Sequence, residues 1–100
     1  SANTYYASID RAVQLLVVRH LMNLANNPSS SGQAKALAHY KLDALANWLE
    51  NQKTNDENQK AHYHYTLSQI RSFQKNPAVI PLPEAESLPD GSPIGMECMH

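Results

Sequence analysis

Cysteine is nearly missing from these 100 residues. Cys98 stands alone, so no internal disulfide framework exists and the fold has to stand on packing. Long apolar runs are missing too: no stretch approaches the roughly 20 residues that a membrane span needs, and the expectation is a soluble chain with no membrane span. Ser1-Ala2-Asn3 has no initiator Met, and neither the basic start nor the apolar stretch of a signal peptide. The chain is therefore read as processed or as a piece of something longer. Excess charge is also scarce, the net value being −1. Its bases (Arg11, Arg19, Lys35, Lys41, Lys53, Lys60, Arg71, Lys75) are scattered singly, with no stripe to track a phosphate backbone, so nucleic acid is not an expected partner.

What is present is globular in composition: 42% hydrophobic and 17% charged residues. A chain of this length has room for one domain with one small core. The strongest stretch runs from Ser30 to Leu49. It opens with a capping box, Ser30-Ser31-Gly32-Gln33, in which Ser30 is the expected cap, and continues without Gly or Pro to Asn51. Ala34, Leu37, Ala38, Leu42, Leu45, Trp48 and Leu49 recur at three- and four-residue steps, which places them on one wide face of a central core helix.

Before it, Ile9, Val13, Leu16, Val17, Leu21 and Leu24 fall on one helical face, with Arg11, Gln14, Arg19 and Asn23 on the other. Pro28 ends that first helix, because proline has no N–H to donate and biases Asn27 away from helical angles. After the central helix, Thr54-Asn55-Asp56-Glu57 reads as a second capping box. Tyr63, Thr66, Leu67, Ile70 and Phe73 then face inward along a third helix that stops at Asn76-Pro77. The expected fold is all-α, a three-helix up-down-up bundle over residues 1–76, with helices at about 4–26, 31–51 and 55–75.

From Pro77 the character changes. Five of the six prolines lie in residues 77–100, together with four acids and no base, whereas residues 1–75 carry eight bases against five acids. Val79, Ile80, Leu82, Leu88, Ile94 and Met96 punctuate this segment, and a solvated linker does not need them. It is read as an extended Pro-rich tail that packs along a surface.

Five histidines raise the question of metal. His62 and His64 are two apart, about 200° around a helix, and cannot hold one ion together; no H-E-x-x-H is present. His39 with Asp43 at i+4 reads as a surface hydrogen bond or weak ion pair. His20, between Val17 and Leu24, reads as a partly buried, hydrogen-bonded side chain. Met96-Glu97-Cys98-Met99-His100 offers soft ligands suited to Cu(I) or Zn(II), but reads as a chain terminus with an ordinary thiol. Tyr5, Tyr6, Tyr40, Trp48, Tyr63 and Tyr65 read as core and rim, and exposure of Tyr40 or Tyr65 would mark a docking face. No catalytic, cofactor-binding or metal-binding residue is assigned.

The run from Gln33 to Leu49 (QAKALAHYKLDALANWL), Glu57 to Tyr63, Ile70 to Phe73, and the ending Pro89-Asp90-Gly91-Ser92-Pro93-Ile94-Gly95 resembles the extreme C-terminus of large bacterial zinc-dependent metalloproteases. Cys98 lies beyond that pattern. The resemblance implies that the catalytic H-E-x-x-H zinc site belongs to a preceding domain, so this part holds no cofactor and no catalytic residue of its own. It also implies a secreted, periplasmic or cell-envelope location. The expected function is a non-catalytic accessory domain whose partner is the catalytic domain of the same polypeptide. The alternatives are an independent helical protein-protein interaction module and, less favoured, a small metal-binding protein using His39, His62 or the Cys98/His100 end.

Overall fold

The computed structural model describes residues 2–83, with side chains from Thr4 onward. Three helices account for most of them: α1 (Ala2–Asn26), α2 (Gly32–Glu50) and α3 (Glu57–Lys75). Side-chain pairs set their directions. Arg11 meets Gln59, Gln14 meets His62 and Arg19 meets Gln69, so α1 and α3 run parallel. Asp43 meets Arg71 and Trp48 meets Tyr63, so α2 and α3 run antiparallel. The bundle is all-α and up-down-up, and α2 packs closely against both neighbours.

Local chemistry sets the helix ends, with two shifts from the sequence expectation. Ser31, not Ser30, caps α2: its Oγ accepts from the Ala34 N–H at 3.1 Å while its backbone is extended. Ser30 is engaged one step earlier, its N–H donating to Asn27 O in the turn that carries Pro28. Asp56, not Thr54, caps α3 by accepting from the Gln59 N–H at 2.9 Å, and α3 begins two residues later than expected. Thr54 Oγ1 instead accepts from the Asp56 N–H and shapes the approach. The turn closed by Val79 N–H to Asn76 O repeats the Asn-Pro device, with Pro77 in the second position.

The core draws Val18, Met22 and Ala25 from α1, Ala38, Leu42, Ala46 and Leu49 from α2, and Ile70 and Phe73 from α3. Ala25, Ala38 and Ala46 have little side-chain bulk, which lets the helices approach closely. Of the expected inward set on α2, Ala38, Leu42 and Leu49 are buried and Ala34 and Leu45 half-buried. Leu37 and Trp48 instead lie exposed, Trp48 resting edge-on against the Tyr63 ring at 5.7 Å. All five inward residues expected on α3 are buried or half-buried, joined by His62 and Tyr65.

The larger correction is the rotation of α1. Ile9, Val13, Leu16 and Val17, expected inside, are exposed, while Arg11, expected outside, is buried. Gln14 and Arg19, expected outside, are half-buried and reach α3. Two features supply the reason. Val18, Met22 and Ala25 offer a second apolar stripe on the opposite side of the helix. The polar side chains on the α3 surface, Gln59, His62 and Gln69, find partners only if the polar side of α1 turns toward them. Beyond α3, Ile80 packs against the core while Val79 and Leu82 stay exposed. Leu88, Ile94, Met96, Cys98 and His100 lie outside the described residues, so the expected packing of that stretch does too.

Candidate functional site

Among the described residues, the outer side of α1 carries six of the eleven exposed large apolar side chains. At 100° per residue, Tyr5, Ile9, Val13 and Leu16 fall within about 80° of one another, with Tyr6 and Val17 along one margin. All six are exposed, Leu16 at 68% and Tyr5 at 64%. Together they make a patch on the order of 500 Å², near the upper end of what an ordinary monomer leaves bare. Polar groups are sparse on this strip: His20 sits exposed toward its C-terminal end rather than half-buried as expected, and Asp10 borders it. Ile9, Val13 and Leu16 are spaced i, i+4, i+7, the set of anchors that a helix offers to a groove.

The inner side of the same helix is polar over its N-terminal half. Arg11 Nη1 donates to Gln59 Oε1 at 3.3 Å and Arg19 Nη2 to Gln69 Oε1 at 2.8 Å. Gln14 Oε1 lies 2.6 Å from His62 Nε2. Because that oxygen only accepts, Nε2 carries the hydrogen and Nδ1 holds the lone pair. Nδ1 is buried without a partner, as is Thr66 Oγ1 one turn further on. Burial, with the nearby Arg11 charge second, lowers the His62 pKa from its ordinary value to about 4. His62 is neutral at pH 7 and, at 1% exposed, shut off from solvent within the α1–α3 seam.

The remaining candidates resolve into structural roles. Asp43 accepts from Arg71 and Gln74, while the His39 ring stacks on Phe73 at 5.8 Å; the expected His39–Asp43 contact gives way to these partners. Arg71 spends its five N–H donors on Glu50 twice and on Asp43, Asn47 and Gln74 once each. The Glu50 hydrogen bond is the main reason its pKa rises further. A guanidinium so committed clamps α2 to α3 and has no N–H left over for an anion. Tyr65 is buried, whereas Tyr40 is 71% exposed beside Leu37 on the outer side of α2.

An open hollow of about 440 Å³ lies where α2 passes to α3, lined in part by Gln52, Lys53, Tyr63, His64 and Leu67. His64 faces this hollow and His62 the α1–α3 seam, so the two point to different sides of α3. Among the described residues, no three His, Cys, Asp or Glu side chains come together as a metal set, and no helix is long and apolar enough to cross a membrane. No family model, no curated protein and no solved structure matches the chain.

The outer face of α1 is visible in the sequence as an apolar stripe, but pattern alone turns it inward. The polar seam is not among the sequence expectations, although a signal for it exists: Arg11 and Gln14 are i, i+3 on one helix and Gln59 and His62 are i, i+3 on another. Two matched polar pairs at equal spacing can zip two parallel helices together.

Proposed function

We propose that this chain is a non-catalytic helical docking domain, accessory to the catalytic domain of a larger zinc metallopeptidase. The observation that carries the docking role is the bare apolar face of α1, six large side chains that the chain's own described core does not use. Burying such a face against a partner gains about 25 cal/mol per Å² of apolar area, the main driving force of association. The identity of the partner rests on the resemblance of residues 33–49, 57–63, 70–73 and 89–95 to the endings of those enzymes, and an exported location would follow from it.

The test has two parts. The coding sequence upstream of Ser1 is expected to contain H-E-x-x-H, and the separately produced peptidase domain is expected to bind this chain in a calorimetric titration. Leu16→Glu should weaken that binding at least tenfold. Equal binding by wild type and variant would remove the α1 face from the argument; absence of the zinc motif would remove the peptidase. In the second case the i, i+4, i+7 anchors still favour an independent helix-in-groove interaction module.

A further inference from the structure

The outer face of α1 has a register as well as an area. Tyr6, Ile9, Val13 and Leu16 follow one another at steps of three, four and three residues, and His20 comes four further on. With Tyr6, Val13 and His20 at a and Ile9 and Leu16 at d, this is the repeat of 3.5 residues by which one helix takes another of its kind. The rest of α1 agrees with the same lettering. Arg11, Val18 and Ala25 fall at f, opposite the seam, and all three are buried in the bundle. Every a, d and e position from Tyr6 to His20 is exposed. The helix thus holds the bundle with one side and presents a coiled-coil seam with the other.

Area, charge and residue choice point to a second copy of this chain as the occupant. The apolar patch is on the order of 500 Å². Doubled across a twofold axis, it takes on the order of 1,000 Å² out of solvent, the lower bound of a specific, weak interface. Asp10, at e, is the only acid in α1, and Arg19, at g, is already held by Gln69 at 2.8 Å. In a parallel pair, e faces the g position five residues earlier on the other helix, so Asp10 meets Tyr5, whose hydroxyl can donate to it. In an antiparallel pair e faces e, and the two Asp10 carboxylates meet. Charge therefore favours the parallel arrangement. Val13 at a with Leu16 at d is the combination that suits two parallel strands, and a polar side chain at one a position, here His20, pins the register.

From Tyr6 to His20 the seam is about 21 Å long at 1.5 Å per residue, short for a coil that must also fold its own helices. That cost does not arise here, because α1 is already held as a helix by its packing against α2 and α3.

We propose that two copies of this chain pair through α1 as a parallel two-stranded coiled coil, seamed by Tyr6, Ile9, Val13, Leu16 and His20, with the two bundles on opposite sides. The contact is isologous and closes at two. The inference rests on the docking character of the face, and it makes the peptidase domain and the second copy competitors for one surface.

Sedimentation equilibrium of the full chain from about 1 μM to about 1 mM is expected to show monomer passing to dimer with a micromolar dissociation constant. Leu16→Glu should raise that constant about tenfold or more, with the far-UV circular dichroism unchanged because Leu16 is mostly exposed; Leu37→Glu, exposed on α2, should leave it unaltered. Tyr5→Lys should tighten the dimer by bringing an ammonium to Asp10 of the other copy. Orientation is read in the double variant Tyr6→Cys, Cys98→Ser. Parallel pairing sets the two thiols side by side, so that mild oxidation links them, whereas antiparallel pairing holds them about 15 Å apart, beyond disulfide reach. A chain that stays monomeric over the whole range would overturn the proposal, as would equal dimerisation of wild type and Leu16→Glu, or a dimer that fails to cross-link. Titration with the peptidase domain separates the two readings of the face. If the chain is monomeric yet binds that domain through Leu16, only the self-pairing fails; if it dimerises through Leu16 and ignores the domain, only the peptidase docking fails.

Discussion

At the scale of single residues, His62 sets an acid limit on the fold. Its folded pKa, about 4, lies below the value of about 6.5 for an unperturbed histidine. The unfolded chain thus takes up a proton first as pH falls. The contribution is fully present above pH 6.5 and is lost progressively between there and about pH 4, to a total of about 3 kcal/mol. Urea unfolding at pH 7.5, 5.5 and 4 should show this decline, and His62→Leu should flatten the part of it that falls between pH 6.5 and 4. A slope unchanged in the variant would mean that other groups carry the acid sensitivity. The caps make a second residue-scale prediction. Ser31→Ala and Asp56→Ala should each cost about 1 kcal/mol, and Ser30→Ala, whose hydroxyl caps no helix, should cost less in the same denaturant titration.

Among the elements, α1 is the one whose behaviour separates pattern from packing. It is apolar on two sides, so the hydrophobic period alone allows two rotations. In the observed one Met22 is fully buried and Leu16 is mostly exposed. Met22→Ala should cost between about 2 and 5 kcal/mol, while Leu16→Ser should stay within about 0.5 kcal/mol. The opposite ordering of these two unfolding free energies would mean that α1 is turned the other way. No such ambiguity arises for α3: its inward positions Tyr63, Thr66, Leu67, Ile70 and Phe73 were legible because the rest of that helix is strongly polar.

For the molecule as a whole, the core side chains among the described residues lie between Val18 and Ile80. Residues 1–83 should therefore unfold in one cooperative transition, and shortening the chain further to residue 76, which removes Ile80, should cost about 1 kcal/mol for the half-buried side chain. Calorimetry on the two lengths decides this. The proposed docking role is a property of this scale too. It depends on which apolar face is left over after the helices have packed, and no single residue announces that.

The chain's own chemistry was enough to determine three helices, their approximate limits and their antiparallel succession. Those depend on local signals: Asn27-Pro28 and Asn76-Pro77 stop helices, Ser and Asp side chains satisfy the free N–H groups of the next ones, and short turns leave few alternatives. Cap positions slipped by one or two residues, because Ser30 and Ser31, or Thr54 and Asp56, offer competing oxygens and only the settled turn selects between them. The tertiary structure alone decided the rotation of α1, and with it which apolar face is left exposed. An isolated helix with apolar residues on both sides has no preferred inside; Gln59, His62 and Gln69 of α3 choose it by demanding polar partners, and Ile9, Val13 and Leu16 are turned outward as the consequence.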